Sequence, residues 1–171
     1  MTKNMPLQTD ILSSDAKFSI DQKYRYSLSR VWNPNLPKAV VIGLNPSTAT
    51  AEQDDPTIRR CIEFSHREGC GSFMMLNIFA YRSTDPHGLE LCKEPIGEEN
   101  DNYLISTCRD AKLIIAAWGS HGKFRNRGLK VRFLFEKNLP DKRLLCFGKN
   151  KDGEPVHPLY QPKDAKLQSY I

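Results

Sequence analysis

The sequence predicts an α/β fold: a three-layer α/β/α sandwich whose central sheet is four-stranded and mostly parallel, with a β-hairpin ahead of it. Three observations predict it. Four short unbroken apolar runs, at 39–44, 73–79, 113–118 and 144–147, read as strands covered on both faces. Helical patterns fill the gaps between the runs, and strand alternating with helix is the pattern of a parallel sheet between two helical layers. Before the first run, apolar and polar residues alternate with one polar break, as in a hairpin.

Each element follows from its residues. The 171 residues suit one domain spanning 1–171, with 1–15 expected as a loosely ordered lead-in. "AKFSIDQKYRYSLSRVWN" alternates from position 18 to 32 and breaks at Asp21-Gln22-Lys23, the hairpin turn. The run 39–44 is the first strand of the sheet. Asp55-Pro56 then supplies a helix cap with proline at the first helical position. "TIRRCIEFSHREG" keeps Ile58, Cys61, Ile62 and Phe64 on one side until Gly69 stops it. The run 73–79 is the second strand, and Asp85-Pro86 repeats the cap-and-proline start. "GEENDNYLISTCRDA" is acidic at its start and basic near its end, as the helix dipole favours. The third strand, 113–118, is followed by a helix in "NRGLKVRFLFEKNL", ended by Asn138 and Pro140, and then by the fourth strand, 144–147.

Composition bounds the function. Hydrophobic residues make up 39% and charged residues 26%, a globular balance, and no apolar run approaches the ~20 residues of a membrane span. The first residues lack a basic stretch followed by an apolar one, so a cytoplasmic location is expected, with no membrane partner. Five cysteines, an odd number without a CxxC pair, argue against a disulfide framework or a zinc knuckle. Cys61, Cys92, Cys108 and Cys146 stand in apolar surroundings and read as core thiols, and Cys70 as the exposed one. No cofactor or metal is implied. The formal charge of +5 permits a polyanionic partner without requiring one. Oligomeric state is left open, a monomer being the simplest expectation.

Ligands of parallel sheets bind beyond the carboxyl ends of the strands, so the four strand exits are the informative places. The first, "GLNPST", follows Gly43 with Asn45, Ser47 and Thr48. It is either a proline turn or a polar site. At the second, Asn77 falls inside an apolar run. A buried amide there either bonds a neighbouring loop or faces a pocket, where it can offer both a donor and an acceptor to a base edge. Arg82 follows and either holds a phosphate or caps the "STDP" turn. The third exit, Trp118-Gly119, leads to a segment crowded with His121, Lys123, Arg125 and Arg127, either a solvated basic loop or a phosphate-contacting one. The fourth ends in His157-Pro158-Leu159-Tyr160, a histidine fixed by proline beside an apolar-aromatic pair.

In this order the four exits resemble the uracil-DNA glycosylase superfamily. "GLNPS" is similar to the motif whose turn carries the catalytic asparagine of the mismatch-type enzymes. Asn77 matches the strand-end asparagine that reads the uracil edge, "AAWG" the strand end between the active-site motifs, and "HPLY" the start of the final loop. More closely, the chain from about 19 to 170 resembles a bacterial and phage family known as a domain of unknown function. Its marks are "GLNPSTA", "QDDPTIRRC", "NIFAYRSTDP", "AAWGSHG" and "KDGEPVHPLY". There are departures. Ser47 stands where the mismatch-type motif has a second glycine, the aspartate of the classical branch is missing, and "HPLY" lacks the serine of "HPS". The iron–sulfur branch needs a CxxC pair.

The resemblance implies a nucleobase-recognising hydrolase of N-glycosidic bonds, acting on uracil, a mispaired base or a modified base, with nucleic acid or a nucleotide as partner. It makes Asn45 and His157 catalytic, with Gly43, Asn77 and Trp118 about the base. Ser47, Thr48, Arg82, His121, Lys123, Arg125, Arg127 and Tyr160 would contact nucleic acid or phosphate. A non-catalytic nucleotide- or nucleic-acid-binding module of the same fold is the alternative. Because Asp55 caps a helix, Asp54 is the carboxylate left free to act as a base or metal ligand.

Overall fold

The computed structural model describes residues 10–171. Seven strands form one mixed sheet: β1 (Ser13–Phe18), β2 (Arg25–Val31), β3 (Lys38–Gly43), β4 (Ser72–Asn77), β5 (Leu113–Ala116), β6 (Leu145–Cys146) and β7 (Gln168–Ser169). Four α-helices accompany them: α1 (Pro56–Arg67), α2 (Pro86–Leu91), α3 (Asn100–Arg109) and α4 (Arg127–Asn138). The strand order is β1-β2-β4-β3-β5-β6-β7. The four apolar runs do supply the parallel centre, β4-β3-β5-β6.

A sheet of four strands is nevertheless a correction to make. The hairpin does not stand apart: β2 runs antiparallel along β4, from Leu28 opposite Met75 to Val31 opposite Ser72, and so continues the sheet. At the far side β7 pairs antiparallel with β6. Its two polar residues carry no alternation or apolar run by which a strand is recognised. The expected lead-in is also revised. Residues 1–9 lie outside the described residues, and 13–15 already belong to β1.

Alternate side chains of the central strands feed two cores. Val40, Ile42, Leu76, Ile114 and Ala116 pack with Leu104 and Cys108 of α3 and Val131 and Phe135 of α4. Val41, Phe73, Met75 and Ile115 pack with Ile58, Cys61, Ile62 and Phe64 of α1 on the other face. Helices therefore cover both faces, as the runs require. Cys70 is buried, against expectation, because its segment turns beneath the end of β2, where the Trp32 indole donates to its carbonyl at 3.0 Å. Cys92 is only half-buried. Among the described residues no helix is long and apolar enough to cross a membrane.

The helix assignment positions the site. The chain leaves β3 towards α1 on one face, while it leaves β5 towards α4 on the opposite face. Adjacent parallel strands whose connections diverge open a crevice at their carboxyl ends. A second device lies in the hairpin. Lys17 faces Ser27 but Phe18 faces Arg25, so Tyr26 is an extra residue in β2. Such a bulge reverses the phase of the strand beyond it. Tyr26 stacks on Tyr103 of α3, ring centroids 5.1 Å apart, while Arg25 is sent to the α1 side.

Candidate ligand-binding site

The crevice holds a cavity of about 570 Å³, within the range of small-ligand sites, about 300–1,000 Å³. Its floor is the end of β3 and β4. Gly43 and Asn77 are register partners there. A Cβ on Gly43 would lie 2.5 Å from the Met75 Cε and 3.0 Å from the Asn77 Oδ1, so glycine is what lets the Asn77 side chain lie across the strand end. Asn77 is 1% exposed, and neither its Oδ1 nor its Nδ2 has a hydrogen-bond partner among the described residues. Its backbone carbonyl, by contrast, is held by Asn100 Nδ2 at 2.8 Å. The backbone is fixed and the amide faces the cavity unpaired.

Asn45 is oriented by the turn it stands in. Its Nδ2 donates to the Ser83 carbonyl at 2.9 Å, to Pro46 at 3.2 Å and to Tyr81 at 3.4 Å. Three carbonyls around one atom identify it as the nitrogen, which leaves Oδ1 as the polar atom the residue can present to the cavity it lines. The same bonds tie the exit of β4 to that of β3.

His157 opens a 3-10 turn, Pro158–Tyr160, and its Nδ1 accepts from the Leu159 N–H at 3.2 Å. An accepting Nδ1 places the proton of the neutral ring on Nε2. Burial holds the imidazole below its ordinary pKa of 6.5, with the Asp55 carboxylate opposing the shift. His157 is thus a neutral donor at physiological pH. Tyr160 stands 80% exposed at the mouth, its ring 5.4 Å from that of His157.

Trp118 forms a buried wall, not a stacking surface in solvent: its indole N–H donates to Glu154 and its ring meets Tyr170 edge-on at 5.5 Å. Gly119, at φ +71°, turns the chain away beyond it. Ser47 and His121 complete the part of the lining that the sequence anticipates.

The remaining anticipated residues lie outside the lining. Thr48 is exposed. Arg127 is 3% exposed, donates to the Ile78 carbonyl at 2.8 Å and is paired with Asp101, so it fastens α4 to the β4 exit. Arg125 donates to the carbonyls of Lys93 and Cys92 at 2.8 and 3.0 Å. Arg82 donates to the Gln22 carbonyl at 3.0 Å and lies over the Phe18 ring at 4.9 Å. Lys123 is 3.6 Å from Asp152. Asp54 is not free either, since it binds the fully buried Arg30 at 2.8 Å.

Asp55, Asn150 and Arg25 are among the lining residues that the sequence did not single out for the site. Asp55 caps α1 by accepting from the Ile58 N–H at 2.9 Å, and it also faces the cavity. Asn150 enters from the loop after β6. Arg25 enters through the bulge, which no residue pattern announces. It is 2% exposed, and burial lowers its pKa to about 10, so it stays charged.

Comparison with known proteins yields one family. Residues 25–159 match the model described as Protein of unknown function (DUF1643), and the chain belongs to that family. No curated protein and no solved structure matches it.

Proposed function

We propose that this DUF1643 chain recognises a nucleobase in the cavity and hydrolyses its N-glycosidic bond. The observation that carries the reading is Asn77. A buried amide with both atoms unpaired is costly unless something else satisfies it, and one amide can donate to and accept from the edge of a single base. The reading draws support from position as well. The residues by which the sequence resembles the uracil-DNA glycosylase superfamily, Asn45, Asn77, Trp118 and His157, line one cavity.

The chemistry asks for little nucleophile activation when the base leaves as an anion. Asn45 Oδ1 accepts from a water and holds it near C1′. Water adds to C1′, the C1′–N bond breaks with its electron pair on the base, and a proton passes from the attacking water to solvent. His157 Nε2–H donates to a carbonyl of the departing base, where negative charge develops. An amide is a poor base, so rates are modest. If the base arrives in a polymer it must be extruded first.

A second reading, a binding module without turnover, is favoured by one observation. The carboxylate in the lining, Asp55, is committed to the α1 cap. Incubation with uracil-containing, mispaired and modified-base oligonucleotides, and with free nucleosides and nucleotides, separates the two. Release of free base that Asn45→Ala loses while keeping affinity supports the hydrolase. Binding without release supports the module. A panel neither bound nor cleaved removes both.

A further inference from the structure

Three buried arginines, Arg25, Arg30 and Arg127, lie among the described residues, and the fold treats them differently. Arg30 is matched by Asp54 and by the carbonyls of Ser29 and Thr50, at 2.8 and 2.6 Å. Arg127 is matched by Asp101 and the Ile78 carbonyl. Arg25 makes no ion pair with any of the described residues. Its Nη1 donates to the Ala49 carbonyl at 2.9 Å, and among the described residues its buried Nε has no partner and its Nη2 makes no hydrogen bond. The Asp55 carboxylate, in the same cavity lining, favours the charged guanidinium without pairing with it, and the cost of burial outweighs that help. The arginine left in that condition is the one that lines the cavity.

Resting on the base-recognition reading above, we infer that the inner end of the cavity is an anion subsite built on Arg25, and that the ligand is a free nucleoside monophosphate. Nε and Nη2 form the side edge of the guanidinium, the fork that takes two oxygens of one phosphate. Ser47 and Thr84 line the same cavity and add hydroxyl donors. The β2 bulge aims the arginine inward at the cost of strand regularity. The outer surface points the same way. Arg82 and Arg125 are occupied with backbone carbonyls and Arg127 is buried, so the basic rim that would track a polymer backbone is weak where the inner end is strong.

Calorimetric titration of the full chain compares each common nucleoside with its 5′-monophosphate, alongside inorganic phosphate and a single-stranded oligonucleotide. A preferred monophosphate binds at least about tenfold more tightly than its nucleoside, and the gap closes in Arg25→Met. Equal affinity of nucleoside and monophosphate for the wild-type protein overturns the subsite, whether or not the variant folds. An oligonucleotide that outcompetes the monophosphate overturns the choice of ligand. Nucleosides that bind without a phosphate preference leave base recognition standing while the subsite falls. Inorganic phosphate that binds through Arg25, with no nucleoside or monophosphate doing better, supports the subsite and removes base recognition.

Discussion

Asn77 and His157 are prepared in opposite ways. The Asn77 amide is left unpaired in a buried position facing the cavity, which costs about 1–3 kcal/mol until a partner arrives. The His157 ring is held through one nitrogen so that the other is free to donate. Both residues were legible as letters at strand exits, but the sequence left the direction of each side chain open. Arg30 was legible in principle, because it falls on the apolar phase of its strand, where a charge needs a buried partner. Arg25 was not, since it lies on the polar phase and only the bulge turns it inward. The unfolded chain takes up a proton on His157 at its ordinary pKa of 6.5, and the folded chain does so only at lower pH. Stability contributed by the neutral ring is therefore complete above 6.5 and is lost as pH falls from there through the folded pKa. His157→Asn keeps an acceptor for the Leu159 N–H without titrating. Melting temperatures of the two proteins diverge below that pH, the wild type falling faster; parallel curves would refute the assignment.

At the scale of elements, the segment between β3 and α1 is the most heavily anchored part of the site. Arg25 holds the Ala49 carbonyl, Arg30 holds Thr50 and Asp54, and Asp55 caps the helix that follows. Asp54 thus anchors the loop through Arg30. Its side chain is 5% exposed and its partner is wholly buried, so Asp54→Ala strands the Arg30 charge. The expected loss is about 3–5 kcal/mol of stability in denaturant unfolding, with no metal dependence to accompany it. An unchanged unfolding midpoint together with abolished activity would return Asp54 to a catalytic role. The elements themselves were read well where they carry a period or a cap. Asp55-Pro56 and Asp85-Pro86 start α1 and α2 as their residues dictate. β7 was missed because two polar residues pairing at an edge leave no pattern. The carbonyl partners of Arg82 and Arg125 were not legible, because charge density in a sequence does not tell whether a guanidinium meets a phosphate or a nearby carbonyl.

Across the whole molecule, the crevice follows from topology. The β3 connection goes to one face and the β5 connection to the other, and the antiparallel strands β1 and β2 close the side where Arg25 enters. Loops distant in sequence then meet at one end of the sheet, bringing amides from β3 and β4 and an imidazole from the C-terminal region to a single cavity. The order of strands and helices made that meeting legible in advance, whereas the extension of the sheet to seven strands was not. The function argued for this cavity depends on the Asn77 amide being completed by a ligand. The side-chain ¹⁵N–¹H signals of Asn77, assigned by their disappearance in Asn77→Ala, test that directly during titration with nucleosides and nucleoside monophosphates. The account predicts a saturable downfield shift of those two signals with at least one base, and no binding of that ligand by Asn77→Ala. Signals that stay in place across the panel, or a variant that binds as well as the wild type, would contradict it.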